Sequence, residues 1–423
     1  MIPMLQGRVV GGTTVINSAI TWRTPEDVKD DWAKRFGLGE ITKLLDPAFD
    51  RVEKDLGVRP TPEECFSGSD KIMRAACEKS GLRPHPIDRN VVDCEGSGLC
   101  LHGCQGGRKQ SMAITYIPAA ERNGARVFPS HRVDTLIIEN DRVVGVRGRK
   151  MGGPAGHVAQ EPFEMRARKA VVVSASAIQT PQILLRSGLQ GKTIGRHFQA
   201  HPGVGMLGFF PEEVNMWDGA TQGFEAVPPR SERYKLETLA LSPEMLAVRV
   251  PGIGKALMKE IANLRHAACW AVLCRARAEG RVRVPKSSVA SGISYSVLDS
   301  DLDIFAKGLR MAGEMMFEMG AEYVTPGVHG LPDRLTSPDQ LRLITERPLD
   351  PKRMTIVATH LMGTCRIGPK PDRSVVGLDY QSHEVKSLYI ADSSLFPTNM
   401  GVNPQHTILG LATIAGDRIA NSI

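Results

Sequence analysis

The chain lacks any apolar run long enough to cross a membrane as a helix, which takes about 20 consecutive apolar residues. Its longest apolar run, Ala267 to Cys274, is far shorter and is predicted to be a core helix. No Lys/Arg run with interleaved aromatic residues is present, which argues against nucleic-acid binding. The first residues also lack the basic-then-apolar layout of a secretion signal. The cytoplasm, the periplasm and a membrane-associated place in a bacterium therefore all fit the sequence.

Cysteine is scarce as well, with eight residues in a chain of 423, which does not suit a secreted disulfide framework. Three of them, Cys94, Cys100 and Cys104, are nevertheless close together in a glycine-rich segment. Three neighbouring thiolates can bind a soft metal or an iron–sulfur cluster. The alternatives are a disulfide, or thiols that act as small apolar fillers in a glycine-rich loop.

The overall composition is that of an ordinary globular protein, with 42% hydrophobic and 23% charged residues. The length favours two domains over one. A net charge of +7 is mild and would suit an anionic partner or cofactor. No internal repeat or low-complexity tract is found.

Hydrophobic periodicity predicts both helices and strands, and therefore a mixed α/β (α+β) fold. Thr180 as a cap and Pro181 at the first helical position mark one helix start. The run 170–173 is short and β-branched, which suits a buried parallel strand. Helices are predicted over 27–36, 71–79, 180–185, 243–248, 254–279 and 301–319, and strands over 133–138, 142–146, 170–173, 354–358 and 388–390.

One glycine motif is rejected as a nucleotide-binding signal. Gly203 to Gly208 matches G-x-G-x-x-G, but that pattern must follow a strand and open a helix. Here it follows a His-Pro pair and leads into the strand-like Phe209. From about 205 to 350 the composition shifts towards methionine, proline and loops, which indicates a second domain inserted into the first.

Two further segments carry groups suited to chemistry. Gly7 to Asn17 contains a glycine pair followed by two threonines, which offers backbone and hydroxyl donors to a bound group. Near the carboxyl terminus, the strand 388–390 leads through a loop with Asn403 and Pro404 into a helix, whose start can hold an electron-rich group. His360 follows a third segment, the apolar strand 354–358.

Taken together, four blocks make the chain resemble the glucose-methanol-choline (GMC) flavin oxidoreductase family. They are Gly7–Asn17, Ser174–Gly188, His360–Gly368 and Tyr389–Thr407, and they occur in the family's order over nearly the whole chain. The resemblance implies a Rossmann-like FAD-binding domain over 1–204 and 356–423, and an inserted substrate-binding domain of sheet plus helices over 205–355.

The resemblance also implies roles for individual residues. His360 would act as base or hydrogen-bond partner to a substrate hydroxyl, and Asn403 would be the second catalytic side chain, with His406 a weaker candidate. The residues expected to bind the cofactor are Gly11, Gly12, Thr13, Thr14, Asn17, Val133, Ser174, Ala175, Asp392, Ser393, Asn403, Pro404 and Thr407.

Two departures from the family pattern shape the expectation. The family begins with a strand-turn-helix unit carrying G-x-G-x-x-G that binds the ADP half of FAD, whereas this sequence opens at Met1 without it, so an amino-terminally truncated FAD domain is expected. The spacing of Cys94, Cys100 and Cys104 resembles the 3Fe-4S segment of FAD-dependent glucose dehydrogenases, although Gln105 stands where those proteins have proline.

The function implied is FAD-dependent oxidation of an alcohol (CH-OH donor), with hydride transfer to flavin and proton removal by a histidine. A bulky or lipophilic alcohol is favoured over a sugar because part of the inserted domain is apolar and methionine-rich. The electron acceptor would be oxygen or a redox partner. Two alternatives stay open: an iron–sulfur dehydrogenase subunit that passes electrons to a separate protein, and a non-catalytic fragment unable to hold FAD.

Overall fold

The computed structural model describes residues 2–247, 250, 252–286 and 292–423. Within them the helices are α1 (Glu26–Phe36), α2 (Gly39–Leu56), α3 (Gly68–Lys79), α4 (Tyr116–Arg122), α5 (Ser176–Arg186), α6 (Pro243–Leu246), α7 (Lys255–Asn263), α8 (Asp299–Glu318) and α9 (Gln405–Ser422). The strands are β1 (Arg59–Pro60), β2 (Pro84–Pro86), β3 (Asp88–Arg89), β4 (His131–Glu139), β5 (Arg142–Gly152), β6 (Val158–Arg166), β7 (Val171–Val173), β8 (Arg196–Phe209), β9 (Phe224–Ala226), β10 (Tyr234–Thr238), β11 (Ala267–Cys274), β12 (Gly280–Val282), β13 (Ile293–Ser294), β14 (Tyr323–Thr325), β15 (Val357–Met362) and β16 (Leu388–Ile390).

The long strand β8 is the centre of the largest sheet. In the described part of the chain this sheet has nine strands in the order β13-β12-β8-β11-β10-β9-β2, with β14 and β15 also paired to β8. Every pairing in it is antiparallel. Antiparallel sheets allow the two faces to differ in polarity, and the two faces of this sheet carry different sets of side chains.

One face of the sheet packs against helices α3 and α8 to form a core. Met206, Leu236 and Trp270 alternate onto this face and are fully buried there, as the two-residue period of strands requires. Gly208 lets α8 approach closely, since a Cβ at this position would lie 2.6 Å from the sulfur of Met316. The opposite face carries a smaller apolar cluster that includes Leu207 and Cys269, and it also carries charged side chains.

A second core surrounds the short parallel pair of β7 and β16, in which Val171 to Val173 pair with Leu388 to Ile390. Helix α9 packs along α2, and the antiparallel ribbon β4-β5-β6 lies beside them. This arrangement brings the loop after β16 and the loop after β7 to the same place. Among the described residues, no helix is both long and apolar enough to span a bilayer.

Several predicted elements are confirmed. Helices α1, α3 and α8, the hairpin of β4 and β5, the parallel strand β7, and strand β16 followed by α9 all lie where the periodicity placed them. The strand predicted over 354–358 begins later, as β15, and contains His360. The rejected glycine motif lies inside β8, as its strand-like flank predicted. Val248, at the end of one predicted helix, lies outside the described residues.

Two helix predictions are wrong. The helix expected over 254–279 ends at Asn263, and the apolar run Ala267–Cys274 forms strand β11. This strand lies between β8 and β10 with nearly every side chain buried, so its sequence shows no period that separates strand from helix. Helix α5 begins at Ser176, and Pro181 lies inside it. Its start is instead fixed by Asp392, which accepts a hydrogen bond from the Ser176 N–H at 2.9 Å.

The predicted division into an FAD domain and a substrate domain stays a prediction. Its first boundary, at 204, falls within β8, which continues without interruption to Phe209. Its second boundary, at 355, falls just before β15, which pairs with β8 in the same sheet. The strands that carry the candidate catalytic groups thus join the two predicted domains.

Candidate active site

The polar face of the large sheet brings together five titratable side chains from four strands. His201 of β8 pairs with His360 of β15, and Glu225 of β9 pairs with Glu237 of β10. Lys235 lies two residues before Glu237, on the same face of β10. The register of β10, β11 and β8 puts all five on the side opposite the apolar core.

The two histidines form a stacked pair. Their ring centroids are 5.2 Å apart, and the Nδ1 atoms of His201 and His360 lie 3.1 Å from each other. Burial, reinforced by the charge of Lys235, lowers the pKa of His360 to about 3. Burial and then the neighbouring His360 and Lys235 hold the pKa of His201 well below its usual value. Both rings are therefore neutral near pH 7, and one Nδ1–H donates to the other Nδ1.

Lys235 is the centre of a buried ionic network beside this pair. Its Nζ donates to Glu225 Oε2 at 2.7 Å and to Asn403 Oδ1 at 2.7 Å, and it pairs with Glu237 Oε1 at 2.6 Å. The Lys235 side chain is only 2% exposed. Glu225 also accepts from Trp22 Nε1 at 2.9 Å. Buried charges are tolerated in such places only when they are paired and hydrogen-bonded.

Asn403 reaches the network from the loop that precedes α9, and it is 5% exposed. The loop is tied to the large sheet by its own polar groups. Asn399 Nδ2 donates to the carbonyl of Ala200 in β8 at 2.7 Å, and Arg230 Nη2 donates to the carbonyl of Met400 at 2.7 Å. The position of Asn403 relative to the histidine-bearing strands is thus fixed by hydrogen bonds on both sides of the loop.

The glycine pair near the amino terminus lies close to the same loop. Gly11 and Gly12 both have positive φ, 93° and 61°, and start a short 3-10 helix, Gly12–Val15. Thr14 Oγ1 donates to the Gly11 carbonyl at 2.6 Å, while Thr13 is exposed. Asn17 Nδ2 donates to Oε1 of Gln405, two residues after Asn403. This hydrogen bond joins the amino-terminal segment to the start of the helix that follows the Asn403 loop, and binding of one ligand by both segments stays a prediction.

The loops that follow the parallel strands β7 and β16 meet at Asp392. Besides the Ser176 N–H, its carboxylate accepts from Thr180 Oγ1 at 2.5 Å and from the Ser394 N–H at 2.8 Å. Burial raises the pKa of Asp392. Ser174 is exposed and donates to the Ala391 carbonyl at 2.9 Å. Asp392 therefore holds the two loops in place beside an open edge.

The other residues predicted to bind the cofactor contact protein groups in this structure. Val133 and Ala175 pack against the core around β7 and β16, the Ser393 carbonyl accepts from the Gly363 N–H at 3.2 Å, and Pro404 starts α9. Thr407 Oγ1 lies 2.9 Å from Thr24 Oγ1.

His406, the weaker catalytic candidate, faces away from this cluster. Its ring stacks on Phe49, with centroids 4.7 Å apart, and its Nε2 lies 2.9 Å from Glu53 Oε1. Both partners belong to α2, so His406 fastens α9 to that helix.

A cavity of about 350 Å³ opens on the same sheet face as the histidine pair. Gly205 and Leu207 of β8 and Cys269 of β11 form its floor, and residues of 327–333 and 352–355 form its rim. Leu207, Val328, Pro332 and Met354 line part of it, and more of its lining is polar or charged, from Thr325, His329, Asp333, Lys352, Arg353 and Thr355. It is large enough for a small organic molecule.

The three clustered cysteines do not form a ligand set. In the ranges the structure describes, no three His, Cys, Asp or Glu side chains are grouped to hold a metal ion, so the predicted iron–sulfur cluster is not supported. Cys94 Sγ lies 3.6 Å from Arg89 Nη2, whereas Cys104 Sγ accepts from the Lys109 N–H at 3.4 Å. The Cys100 carbonyl accepts from Lys109 Nζ at 2.9 Å. The turns of the glycine-rich segment thus give the thiols separate partners.

Comparison with known proteins identifies the protein family to which this chain belongs. The family model of GMC oxidoreductases matches residues 1–203 with its amino-terminal part and 276–412 with its carboxyl-terminal part. A GMC-type oxidoreductase of Sinorhizobium fredii is 30% identical over 97% of this chain and 80% of its own length. The chain belongs to the GMC oxidoreductase family. This confirms the family expected from the four sequence blocks.

Other GMC proteins extend the comparison. A GMC-type oxidoreductase of Mycobacterium tuberculosis is 29% identical over 99% of this chain, which spans 65% of that relative's length. A long-chain-alcohol oxidase of Arabidopsis thaliana is 28% identical over 98% of this chain and 59% of its own length. The crystal structure of pyridoxine 4-oxidase from Mesorbium loti shares the fold, with a TM-score of 0.71 at 16% identity over 98% of this chain and 84% of that one.

The sequence alone did not single out His201, Lys235, Glu225 or Glu237. Each lies in a strand whose local pattern is unexceptional, and only the sheet register joins them. One signal was present in the sequence: Lys235-Leu236-Glu237 places two charged residues around a leucine. Alternation of this kind in a strand puts both charges on the face opposite the leucine.

Proposed function

We propose that this chain is the catalytic part of an FAD-dependent oxidoreductase that oxidises an alcohol. The observation that carries the proposal is the buried, neutral His360 beside Lys235, whose ammonium also holds Asn403 at 2.7 Å. A neutral imidazole can accept a hydroxyl proton, and an amide can orient the hydroxyl. The four blocks that match the family pattern lie around this point.

The residues near His360 fit the reactive side of a flavin. A Cβ at Gly12 would meet nothing within 4 Å, so a ligand can approach that backbone closely. Ser174 and Asp392 lie just beyond the carboxyl ends of β7 and β16, where parallel sheets bind their ligands. The residues proposed to hold FAD are Gly11, Gly12, Thr13, Thr14, Asn17, Val133, Ser174, Ala175, Asp392, Ser393, Asn403, Pro404 and Thr407.

When bound, FAD supplies the oxidising power by accepting a hydride. His360 would take the hydroxyl proton, and the histidine pair determines which nitrogen can do so. If His360 donates its Nδ1–H to His201 Nδ1, its Nε2 carries a free lone pair and can act as base. His201 then holds the tautomer of His360, much as an orienting group holds the base in other active sites.

The cavity on the same sheet face is the proposed substrate pocket. Its floor of Gly205, Leu207 and Cys269 suits an apolar chain, and the relatives include long-chain-alcohol oxidases at 26–28% identity. We therefore favour a lipophilic alcohol over a sugar. Oxygen or a separate redox protein would receive the electrons.

Replacement of His360 tests the proposal directly. In His360→Ala loaded with FAD, anaerobic reduction of the flavin by an alcohol should slow by about 10² to 10⁴, the usual worth of a general base. The flavin absorbance spectrum should stay intact. His266→Ala is the control, because that ring contacts the Glu212 carbonyl away from the site. Reduction by His360→Ala at a near-normal rate would remove the proposed role.

A further inference from the structure

The Lys235 ammonium is enclosed by its own partners: it donates hydrogen bonds to Glu225 and Asn403 and forms an ion pair with Glu237. An ammonium carries three N–H donors, and three acceptors surround this one: Glu225 Oε2, Glu237 Oε1 and Asn403 Oδ1, at 2.7, 2.6 and 2.7 Å. The ring of Trp22 covers it, with its centroid 5.1 Å from Nζ. Any part that Lys235 takes in a reaction must therefore act through the groups it holds.

The first such group is the amide of Asn403. Because an ammonium only donates, the amide must turn its oxygen towards Lys235. With its oxygen held by Lys235, the amide keeps the two N–H donors of its NH₂ group on the side away from the ammonium. What Asn403 can offer to a neighbouring ligand is therefore a donor, and not its oxygen.

The second group is the histidine pair, because the positive charge of Lys235 contributes to the lowered pKa of both rings. Glu225 stays ionised because Lys235 and His85 lower its pKa, although burial opposes this. Burial, with the charge of Glu225, instead raises the pKa of Glu237 despite the pull of Lys235. The network thus joins the ammonium of Lys235 to two acidic side chains whose pKa values are shifted in opposite directions.

Other charges also act on the pair. Arg230 and Arg275 add to the positive field at His201, and each of them is paired with Asp27. The cations that face the rings from β10 and from the loops oppose protonation of either imidazole. Of these cations, Lys235 is the one that acts on His360.

We infer that Lys235 is a positioning residue: it fixes Asn403 so that an N–H faces the substrate oxygen, and it places a positive charge beside the buried His360 ring. The inference rests on the proposed function. In the reaction the O–H proton passes to His360, and the hydrogen on carbon leaves with its electron pair to FAD, the oxidant. The C–O bond becomes a carbonyl. The N–H of Asn403 stabilises the negative charge that develops on oxygen before the carbonyl forms.

Matched variants separate this role from a purely structural one. Lys235→Met removes the ammonium at similar volume, and Lys235→Met with Glu225→Gln also removes the carboxylate that would be left unpaired. Lys235→Arg keeps a cation that can donate. Lys29→Met is the control, because Lys29 is a second buried lysine, paired with Asp46 and Glu26 on α1 and α2.

The first measurement needs no cofactor. Ring-labelled histidines are titrated by NMR in the full chain, with the His360 signal assigned from its loss in His360→Gln. In both Met variants the pKa of His360 should rise by about 1 or more because a nearby positive charge is gone. Lys29→Met and Lys235→Arg should leave it close to its value in the parent chain.

The second measurement uses the chain loaded with FAD and a series of primary alcohols. Loss of one preorganised donor costs about 10²-fold in kcat, and KM should change much less. Lys235→Arg should recover part of the rate, and Lys29→Met should retain it. Asn403→Asp should resemble Lys235→Met, since a carboxylate has no N–H to offer.

An unchanged His360 titration in the double variant, or a kcat within twofold of the parent, would overturn the role of Lys235. If the parent chain with FAD oxidises no alcohol, the proposed function fails instead, and the NMR titration still decides whether Lys235 controls His360.

Discussion

At individual residues, the site depends on buried charged groups that lie within ion-pair distance of one another. Lys235, Glu225 and Glu237 are each at most 2% exposed, where an unpaired charge would cost several kcal/mol. Their pairing offsets the free-energy cost of burying the charges, and it also restricts the motion of the three side chains. The amide of Asn403, the proposed second catalytic side chain, cannot rotate in such a network without breaking its hydrogen bond to the Lys235 ammonium.

Glu279 offers a pH test at a residue that supports the site from outside. Its carboxylate contacts His197 Nδ1 at 2.7 Å, Arg366 Nη2 at 2.7 Å and Gln199 Nε2 at 2.9 Å. The hydrogen bond from His197, together with Arg366, lowers the pKa of Glu279 to about 2. A lowered pKa stabilises the fold above the unfolded value near 4.5, and this stability is lost as pH falls towards 2.

Because the lowered pKa of Glu279 stabilises the fold more at pH 6 than at pH 3, a variant without this carboxylate should lose more stability at pH 6. Urea unfolding of Glu279→Gln should show a clear loss of stability at pH 6 and a smaller loss at pH 3. Glu161→Gln, which removes an exposed partner of Lys150, should differ little from the parent chain at either pH. Equal losses for Glu279→Gln at both values would contradict the ionic role of this carboxylate.

At the level of elements, strand β8 and the loop before α9 act as one unit. Asn399, 3% exposed, donates to the Ala200 carbonyl at 2.7 Å and to the Ala276 carbonyl at 3.2 Å. Its Oδ1 accepts from the Gly401 N–H at 2.9 Å. One side chain therefore joins β8, the segment after β11 and the loop that carries Asn403.

Removal of this link should be costly. Asn399→Ala leaves buried backbone groups without partners, and about 1–3 kcal/mol of unfolding free energy should be lost. The exposed Asn123, which caps only its own helix turn at the Ala119 carbonyl, is the control; Asn123→Ala should change stability by no more than about 0.5 kcal/mol. Chemical denaturation of both variants measures this difference, and equal stabilities would argue against the link.

The sequence predicted the helices and strands whose hydrophobic residues repeat with a clear period. It did not predict the contacts that depend on how the strands pair in the sheet. Helix α1 and the β-branched strand β7 follow local rules, and both were found. The run Ala267–Cys274 is buried on both faces as β11, so its apolar pattern lacks the alternation that marks a strand. His360 and Asn403 were found through motif resemblance, whereas Lys235 lies far from both in sequence and becomes their neighbour only through the pairing of four strands.

For the whole molecule, the question is how FAD would affect a fold whose two predicted domains share a sheet. A ligand that binds only the folded state adds about 2.7 kcal/mol of stability at 100 times its Kd. FAD should therefore raise the thermal unfolding midpoint of this chain. Gly12→Val places a β-branched side chain at a φ of 61°, so it should lower the midpoint without FAD, and it should also reduce the rise that FAD produces above that lowered midpoint.

Scanning calorimetry with increasing FAD gives the answer. A midpoint that does not move at saturating FAD would contradict cofactor binding by residues 1–423 and favour the non-catalytic alternative. An equal rise in Gly12→Val would show that FAD binds elsewhere.

The position of the cavity has a consequence for how the substrate range could be altered. The candidate catalytic histidines and Lys235 belong to strands whose other face is the core, while much of the cavity rim comes from 327–333 and 352–355 outside those strands. Loops tolerate replacement better than the elements that they connect. Under the proposed function, directed evolution could therefore exchange the rim for a library of loops and select for new alcohols, while the sheet and its polar side chains stay unchanged.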